Sequence, residues 1–278
     1  MNEDLLEMPS REDMVEEDIV REDDDAPETV PVPRSLVPHL SETAILLDID
    51  GTLLDLMPTP REVWVPPGLV KTLNRLMVRT NGALALVSGR SLNDIDLIFA
   101  PDQFPAVGGH GAEMRIEPDS ESVDSHAPPL DKELKRRLAA IAKLSPGILL
   151  EDKGYSLALH YRLAPHAEKA IYAAVSLIRA DLPNAPIEVL PGKYVCEIKH
   201  SGFSKASGVH ELMKREPFKG RRPFFIGDDV TDESVFAALP ALGGHGYSVG
   251  REAAGAEGAF GGPQDVRDWL RDLCEQPA

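Results

Sequence analysis

The chain contains 278 residues, which exceeds the usual domain size of about 100 to 200 residues, so we expect one domain with a large insertion or two small domains. Hydrophobic residues make up 42% of the chain and charged residues 27%, as in soluble globular proteins, and no apolar run approaches the roughly 20 residues that cross a bilayer. The net charge of -17 disfavours nucleic acid as a partner, and we expect no association with a membrane.

The N-terminus and the cysteines narrow the class of protein further. The first residues are acidic, whereas a secretory signal is basic and then apolar, so we expect a cytoplasmic protein. Cys196 and Cys274 are the only cysteines, and neither a C-x-x-C pair nor a histidine cluster at zinc-ligand spacing is present. This argues against a disulfide framework and a structural zinc site. The sequence specifies no subunit association, and a monomer is expected.

Residues 1–36 form an acidic leader. They hold 13 Asp and Glu residues against 3 Arg, a net charge of -10. The leader has no sustained apolar face and is punctuated by prolines near its end, which predicts a disordered segment or a loosely docked helix.

From residue 43 the pattern alternates between strands and helices, which is typical of a doubly wound parallel sheet. Residues 44–49 (AILLDI) predict a buried strand, and residues 69–77 repeat leucines at helical spacing. Residues 83–87 predict a second buried strand, and residues 92–98 a second helix. Further strands are predicted at residues 104–107, 223–226 and 247–249. The sequence therefore predicts a Rossmann-like α/β sheet of five or more strands.

The middle of the chain has a different pattern, in which a helix and a hairpin occur twice. The predicted elements are a helix at 130–141, strands at 147–151 and 156–161, a helix at 167–182, and strands at 187–190 and 194–199. This pattern indicates a small α+β unit inserted into the sequence of the first domain. We expect a core domain from residues 37–112 and 200–278 and an inserted domain from residues 113–199, which acts as a lid.

Polar residues end three of the predicted core strands, and ligands of open α/β sheets bind beyond the carboxyl ends of the strands. The first strand runs into residues 48–52 (DIDGT), the second into residues 88–90 (SGR) and a late strand into residues 227–233 (GDDVTDE). Lys205 opens the helix before that late strand. Clustered carboxylates are costly without a cation, and Mg²⁺ prefers one or two carboxylates together with water and substrate phosphate. The sequence therefore predicts a magnesium site.

Each of these features also has a plainer interpretation. DIDGT can be a turn, Ser88 a helix N-cap, Lys205 a solvated lysine and GDDVTDE a capped helix start. An EF-hand loop is excluded because its glycine is the sixth loop residue, whereas Gly51 is the fourth. The joint occurrence of the features at successive strand ends favours a functional site.

These residues resemble the four motifs of the haloacid dehalogenase superfamily of phosphotransferases. The match extends further, because the phrases ALALVSGRS, GGHGAE, LALHYR, GKYVCEIK and FIGDDVTDES resemble trehalose-6-phosphate phosphatases over nearly all of residues 43–274. The resemblance implies a haloacid dehalogenase core with an inserted α+β cap, and a sugar phosphate as substrate. The acidic leader falls outside it.

The resemblance also implies a role for each motif residue. Asp48 would be the nucleophile that carries the phosphoryl group, and Asp50 the acid and base. Ser88 and Lys205 would hold the phosphoryl oxygens. The Mg²⁺ ligands would be Asp48, the backbone carbonyl of Asp50, and Asp228, supported by Asp229 or Asp232. The residues expected to contact substrate are Thr52, Gly89, Arg90, Glu113, Lys153, His160, Arg162, Lys193 and Glu197.

Several alternatives remain open at this point. His160 and Arg162 can equally brace the strands of the cap, and Arg90 and Glu113 can line the core side of the hinge. The substrate can also be another sugar phosphate, such as sucrose phosphate or mannosyl-phosphoglycerate, or the chain can be related to phosphohexomutases. A non-catalytic regulatory domain is a further alternative, although Asp48, Asp50, Lys205 and Asp228 are all present.

Overall fold

A computed structural model describes residues 38–57, 62–118, 124–125, 127–192 and 194–275. The predicted disordered leader and Lys193 lie outside the described residues. Within those ranges, none of the helices combines the length and the apolar character needed to cross a membrane.

The described residues form twelve β-strands and seven α-helices in an order that alternates over most of the chain. The strands are β1 Thr43–Leu47, β2 Leu84–Val87, β3 Ala106–Gly108, β4 Glu113–Arg115, β5 Asp124–Ser125, β6 Leu149–Asp152, β7 Ser156–His160, β8 Ile187–Gly192, β9 Val195–His200, β10 Arg222–Gly227, β11 His245–Val249 and β12 Ala259–Phe260. The helices are α1 Leu69–Arg79, α2 Leu92–Phe99, α3 Lys132–Ile141, α4 Glu168–Asp181, α5 Lys205–Leu212, α6 Glu233–Ala238 and α7 Pro263–Glu275.

Eight of these strands form one sheet, in the order β12-β11-β10-β1-β2-β3-β4-β5. The strands from β12 to β3 are parallel, and β4 and β5 join antiparallel at one edge. β1 lies at the centre, and all five of its residues are buried, because helices cover both faces of the sheet. Helices α1, α2 and α7 pack on one face, and α5 and α6 on the other. The predicted doubly wound α/β fold is confirmed.

The remaining strands form a four-stranded antiparallel sheet in the order β6-β7-β9-β8. The two hairpins, each preceded by a helix, match the predicted repeat, and β7 and β9 join them at the centre. Alternate residues of β7, including Leu157 and Leu159, pack with α3 and α4 in a separate apolar cluster. The opposite side of this sheet, which carries Ser156, His160 and Glu197, is called the polar face below.

The boundaries of the two predicted domains stay a prediction. The eight-stranded sheet includes β4 and β5, which follow residue 112 in the chain and pair back onto β3. This extension carries Glu113 in register with Gly108 at the edge of the core sheet. Glu113 therefore lies at the junction between the core sheet and the inserted α+β unit.

Candidate active site

Three carboxylates meet at the carboxyl ends of β1 and β10. The two strands are parallel neighbours with Leu47 opposite Ile226, and the backbone N–H of Asp48 donates to the carbonyl of Ile226 at 2.9 Å. This register places Asp48 beside Asp228, each just beyond the end of its strand. A short 3₁₀ turn, Val230–Asp232, then folds Asp232 back toward them. One side-chain oxygen from each of Asp48, Asp228 and Asp232 lies within 4.8 Å of the others. We call these three residues the acid cluster.

Lys205 is the cationic partner of the acid cluster. Its Nζ lies 2.9 Å from Oδ1 of Asp48 and 2.7 Å from Oδ1 of Asp232, and all three side chains are at most 5% exposed. Lys205 is the first residue of α5, where the hydroxyl of Ser204 accepts from the backbone N–H of Ser207 in a capping box. Burial by itself would lower the pKa of the Lys205 ammonium, but Asp48 and Asp232 outweigh it and raise that pKa above its ordinary value.

The carboxylates of the acid cluster are costly to ionise together. Burial raises the pKa of Asp48 well above its ordinary value, Lys205 opposes this shift, and Asp232 and Asp228 add to it. Burial also raises the pKa of Asp228 to about 6, although a hydrogen bond with Asp48 opposes the shift. A single ammonium therefore leaves the cluster short of positive charge. The all-oxygen donor set fits a hard divalent cation such as Mg²⁺, whose charge would offset this deficit.

Two glycines allow the acid cluster to form. Gly51 has φ +80°, and a Cβ built on it would lie 2.0 Å from Oδ2 of Asp228. At Gly227 the Cβ would lie 2.5 Å from the carboxyl carbon of Asp232. A larger residue at either position would therefore displace a carboxylate. This packing explains why the DIDGT and GDDVTDE motifs contain glycine.

Asp50 makes a two-armed ion pair with Arg90. The Nε and Nη2 atoms of Arg90 lie 2.5 and 2.6 Å from the two carboxylate oxygens of Asp50. Arg90 belongs to the loop after β2, and its backbone N–H donates to the Ser88 hydroxyl at 3.2 Å. The loop that contains buried Ser88 is therefore tied to Asp50. The buried Thr52 hydroxyl donates to Oδ1 of Asp228 at 3.4 Å.

Glu197 lies where the polar face of the four-stranded sheet meets the core domain. Its Oε1 accepts a hydrogen bond from the Ser156 hydroxyl at 2.7 Å, and its Oε2 lies 3.6 Å from Nζ of Lys153. Nε2 of His110, a core residue, lies 4.0 Å from the same Oε2. The predicted substrate residues Lys153 and Glu197 are thus adjacent and face the loops of the core domain.

Other predicted residues lie at the edges of this site. Glu113 accepts from the backbone N–H of Leu92 at 2.7 Å and from the Tyr155 hydroxyl at 3.1 Å, so it bridges the start of α2 and the inserted unit. Asp229 accepts from the backbone N–H of Val230 at 2.7 Å and caps the 3₁₀ turn, whereas Asp232 joins the cluster.

His160 is the last residue of β7, and Arg162 follows just after it, at the end of the strand farther from Ser156. His160 pairs with Glu151 at 2.9 Å, and the guanidinium of Arg162 lies 5.5 Å from the centre of the Tyr194 ring. Both contacts join neighbouring parts of the four-stranded sheet. This is the bracing arrangement that the sequence left open for these two residues.

His110 is a polar residue at the site that the sequence did not single out, although it belongs to the GGHGAE phrase. Its ring lies against Gly89, where a Cβ would be 2.5 Å from Cε1 of His110. Its backbone has φ +55°, which is uncommon for a residue other than glycine. Two flanking glycines, Gly109 and Gly111, are the available sequence signal for this strained turn.

Comparison with known proteins agrees with this geometry. A family model described as trehalose-phosphatase matches residues 46–255. The trehalose-6-phosphate phosphatase of Escherichia coli is 38% identical over 240 residues, which cover 86% of this chain and 89% of that protein. A protein of Sinorhizobium fredii named as a probable trehalose-phosphate phosphatase is 42% identical over 226 residues, 80% of this chain and 83% of its own length.

The chain belongs to the trehalose-phosphatase family. The family name denotes phosphoric monoester hydrolases, and the chain is an enzyme of this class. A solved structure of the C-terminal domain of a C. albicans trehalose-6-phosphate phosphatase superimposes with a TM-score of 0.74. It covers 90% of this chain and all 100% of its own length at 20% identity, so this likeness concerns the fold. The structural neighbours confirm the predicted fold class, and one of them, a Bacteroides thetaiotaomicron protein that superimposes with a TM-score of 0.57 at 17% identity, is titled as a phosphatase of the haloalkanoate (HAD) enzyme superfamily.

Proposed function

We propose that this trehalose-phosphatase family member is a Mg²⁺-dependent phosphatase that hydrolyses trehalose 6-phosphate to trehalose and inorganic phosphate. The observation that carries the chemistry is the buried Asp48, held by Lys205 within the acid cluster. The substrate is inferred from the family and from relatives that are 38% and 42% identical and named for this activity.

In the first step, a carboxylate oxygen of Asp48 attacks the phosphorus atom, and the bond from phosphorus to the sugar oxygen breaks. Asp50 gives its proton to the departing sugar oxygen, which leaves as the hydroxyl of trehalose. An acyl phosphate remains on Asp48. A carboxylate needs no base for this attack, and the covalent intermediate divides one difficult displacement into two easier ones.

In the second step, water attacks the phosphorus atom of the acyl phosphate. Asp50 takes a proton from this water, phosphate departs, and the Asp48 carboxylate is regenerated. Arg90 holds both carboxylate oxygens of Asp50, so transfer of a proton to or from either oxygen requires this ion pair to open.

The phosphoryl group is held by the same loops. Lys205 and Ser88 would bind its oxygens, with Thr52 and Gly89 lining the pocket, and preorganised donors of this kind stabilise charge in the transition state. Asp48, Asp228 and the backbone carbonyl of Asp50 would hold Mg²⁺, supported by Asp232 and Asp229. When bound, Mg²⁺ neutralises negative charge on the acid cluster and on the phosphoryl oxygens.

Selection of the sugar would come from the inserted unit, residues 113–199, acting as a cap over the core formed by residues 37–112 and 200–278. Glu197 and Lys153 supply an acceptor and a donor beside the core, and sugar hydroxyls can bind to both. His160 and Arg162 would contribute contacts farther from the core, and Lys193 is proposed as a further substrate contact. A non-catalytic role is disfavoured because every group that the two steps need is present.

Phosphate release from a panel of sugar phosphates tests this function. The panel contains trehalose 6-phosphate, sucrose 6-phosphate, mannosyl-phosphoglycerate and glucose 6-phosphate, each assayed with Mg²⁺ and with EDTA. We expect the highest kcat/KM for trehalose 6-phosphate and loss of turnover in EDTA. A preference for a monosaccharide phosphate would contradict the substrate, and full turnover in EDTA would contradict the metal dependence.

A further inference from the structure

His110 is fixed to the loop that follows β2. It lies in a one-turn 3₁₀ segment, Gly109–Gly111, between β3 and β4. The backbone N–H of His110 donates to the carbonyl of Ser88 at 3.1 Å, and that of Gly109 donates to the carbonyl of Arg90 at 2.7 Å. The positive φ of His110 costs free energy that these contacts must offset.

The imidazole of His110 joins two parts of the molecule. One side of the ring lies against Gly89, which has room for it only because glycine lacks a Cβ. The Nε2 atom of the same ring lies 4.0 Å from Oε2 of Glu197 on the polar face. His110 therefore contacts the predicted phosphate-binding loop and faces the predicted sugar-binding carboxylate at the same time.

The imidazole of His110 also lacks one of the hydrogen bonds that it can form. Its Nδ1 is buried and has no hydrogen-bond partner among the described residues. Burial lowers the pKa of His110 to about 4, Glu197 opposes this shift, and Lys205, Lys153 and Lys199 add to it. The imidazole is therefore neutral near pH 7, with one nitrogen as donor and the other as acceptor. A buried polar atom without a partner is costly, and such atoms in native structures call for an explanation.

We propose that His110 is a positioning residue that makes the geometry of the Ser88–Arg90 loop depend on a sugar bound at Glu197. This inference rests on the proposed function. A sugar that binds Glu197 and Lys153 sets the position of the Glu197 carboxylate. A shift of Oε2 toward Nε2, which lies 4.0 Å away, brings the imidazole within hydrogen-bond range and fixes its position. Because the ring lies on Gly89, its position adjusts Ser88, which binds phosphate, and Arg90, which pairs with Asp50. A phosphate ester that lacks the sugar does not bind Glu197, so it does not change the position of the His110 ring or of the Ser88–Arg90 loop.

The substitution His110→Gly removes the ring without adding strain, because glycine adopts a positive φ freely. His110→Gln restores a side chain that can donate a hydrogen bond. The matched control is His245→Gln, at an exposed histidine at the start of β11. Each variant is assayed with Mg²⁺ on trehalose 6-phosphate and on p-nitrophenyl phosphate, and its thermal unfolding midpoint verifies that it is folded.

For His110→Gly we expect a loss of up to about 100-fold in kcat/KM on trehalose 6-phosphate, mainly in kcat, because small displacements at a reacting centre have effects of this size. The loss on p-nitrophenyl phosphate should be at least about tenfold smaller. His110→Gln should recover part of the sugar-phosphate activity, and His245→Gln should behave as the unmodified protein.

A double-mutant cycle with Glu197→Gln tests the link directly. If His110 acts through Glu197, the double variant loses less activity than the product of the two single losses. Equal losses on both substrates, or losses that multiply in the double variant, would overturn the proposal and leave His110 as a support for the loop. Absence of trehalose 6-phosphate hydrolysis by the unmodified protein would instead overturn the proposed function.

Discussion

The acid cluster and the polar face of the four-stranded sheet differ in how firmly their charged groups are held. The side chains of Asp48, Asp232 and Lys205 are at most 5% exposed and bonded to one another. On the polar face the exposure rises from 13% for the Glu197 side chain to 38% for that of His160. The charges of Asp48, Asp232 and Lys205 are therefore fixed in a dry environment, whereas those of the inserted unit become more solvated with distance from the core.

This difference separates two tasks. Buried charges must be paired before a ligand arrives, because an uncompensated buried charge is strongly destabilising. Such a site is preorganised for a charged group that every substrate shares, which here is the phosphoryl group. Partly exposed ion pairs contribute little to stability, so they can exchange partners with sugar hydroxyls at small cost. The comparison predicts that core substitutions remove the chemistry for any ester, whereas polar-face substitutions change the choice of ester.

The largest effect is expected for Asp48→Asn. The amide is close to the carboxylate in shape but is a poor nucleophile, so turnover should fall at least about 10⁴-fold on both trehalose 6-phosphate and p-nitrophenyl phosphate. Steady-state phosphate release measures this. Asp268→Asn, at an exposed residue of α7, is the matched control and should retain activity. Survival of turnover in Asp48→Asn would rule out the covalent mechanism.

Lys205→Met should reduce both stability and activity. It leaves Asp48 and Asp232 buried without their ammonium, and breaking a buried pair in this way costs about 3 to 5 kcal/mol in the free energy of unfolding. Urea denaturation measures the loss, and added Mg²⁺ should recover part of it because a cation then neutralises the cluster. The control substitution Lys219→Met, at an exposed lysine, should leave both the free energy of unfolding and the activity unchanged. An undiminished unfolding free energy in Lys205→Met would show that the cluster is not ionised.

Glu197→Gln should alter selectivity rather than chemistry. Loss of a charge-assisted hydrogen bond to a sugar hydroxyl should lower kcat/KM for trehalose 6-phosphate by about 10- to 100-fold. His160→Gln, farther along the same face, should cost only a few-fold, because its pair with Glu151 is exposed. Parallel assays on p-nitrophenyl phosphate separate selectivity from chemistry. If His160→Gln has the greater effect, the sugar binds at the far end of the face.

The smallest effect is a pH dependence of stabilisation by Mg²⁺. The pKa of Asp228 is raised from its ordinary value of 3.8 to about 6, so the metal-free fold loses stability as pH rises through this range. Protons compete with the metal below pH 6 and not above it. The rise in thermal midpoint caused by Mg²⁺ should therefore be a few degrees greater at pH 7.5 than at pH 5.5. In Asp228→Asn the rise should be small at both values, and equal shifts in the unmodified protein would contradict the assignment.

The agreement between sequence and structure is closest where local pattern is decisive. The run AILLDI predicted a strand at residues 44–49, and β1 is Thr43–Leu47. The leucine repeat predicted α1, and Lys205 begins α5 as expected. Such elements are predictable because a buried strand and an amphipathic helix each need a hydrophobic period that local sequence carries.

The structure agrees less closely with the sequence prediction for the side chains of the GDDVTDE motif. The sequence offered either Asp229 or Asp232 as the residue that supports the metal ligands. In the structure Asp232 belongs to the acid cluster, whereas Asp229 caps a turn. The 3₁₀ turn at Val230–Asp232 and the missing Cβ of Gly227 make this choice, and neither is a periodic feature. His110 was missed for the same reason, because its importance comes from Gly89 and Glu197, which are distant in the sequence.

The sequence by itself determined the α/β class, the helix-and-hairpin repeat of the insertion, and the acids at the strand ends, because hydrophobic period and residue type are local properties. Only the tertiary structure decided that β1 and β10 are neighbours, that Lys205 bridges Asp48 and Asp232, and that His110 lies between the Ser88 loop and Glu197. These contacts join residues far apart in the chain, and they depend on strand order and register, which many compatible packings of the same elements leave undetermined.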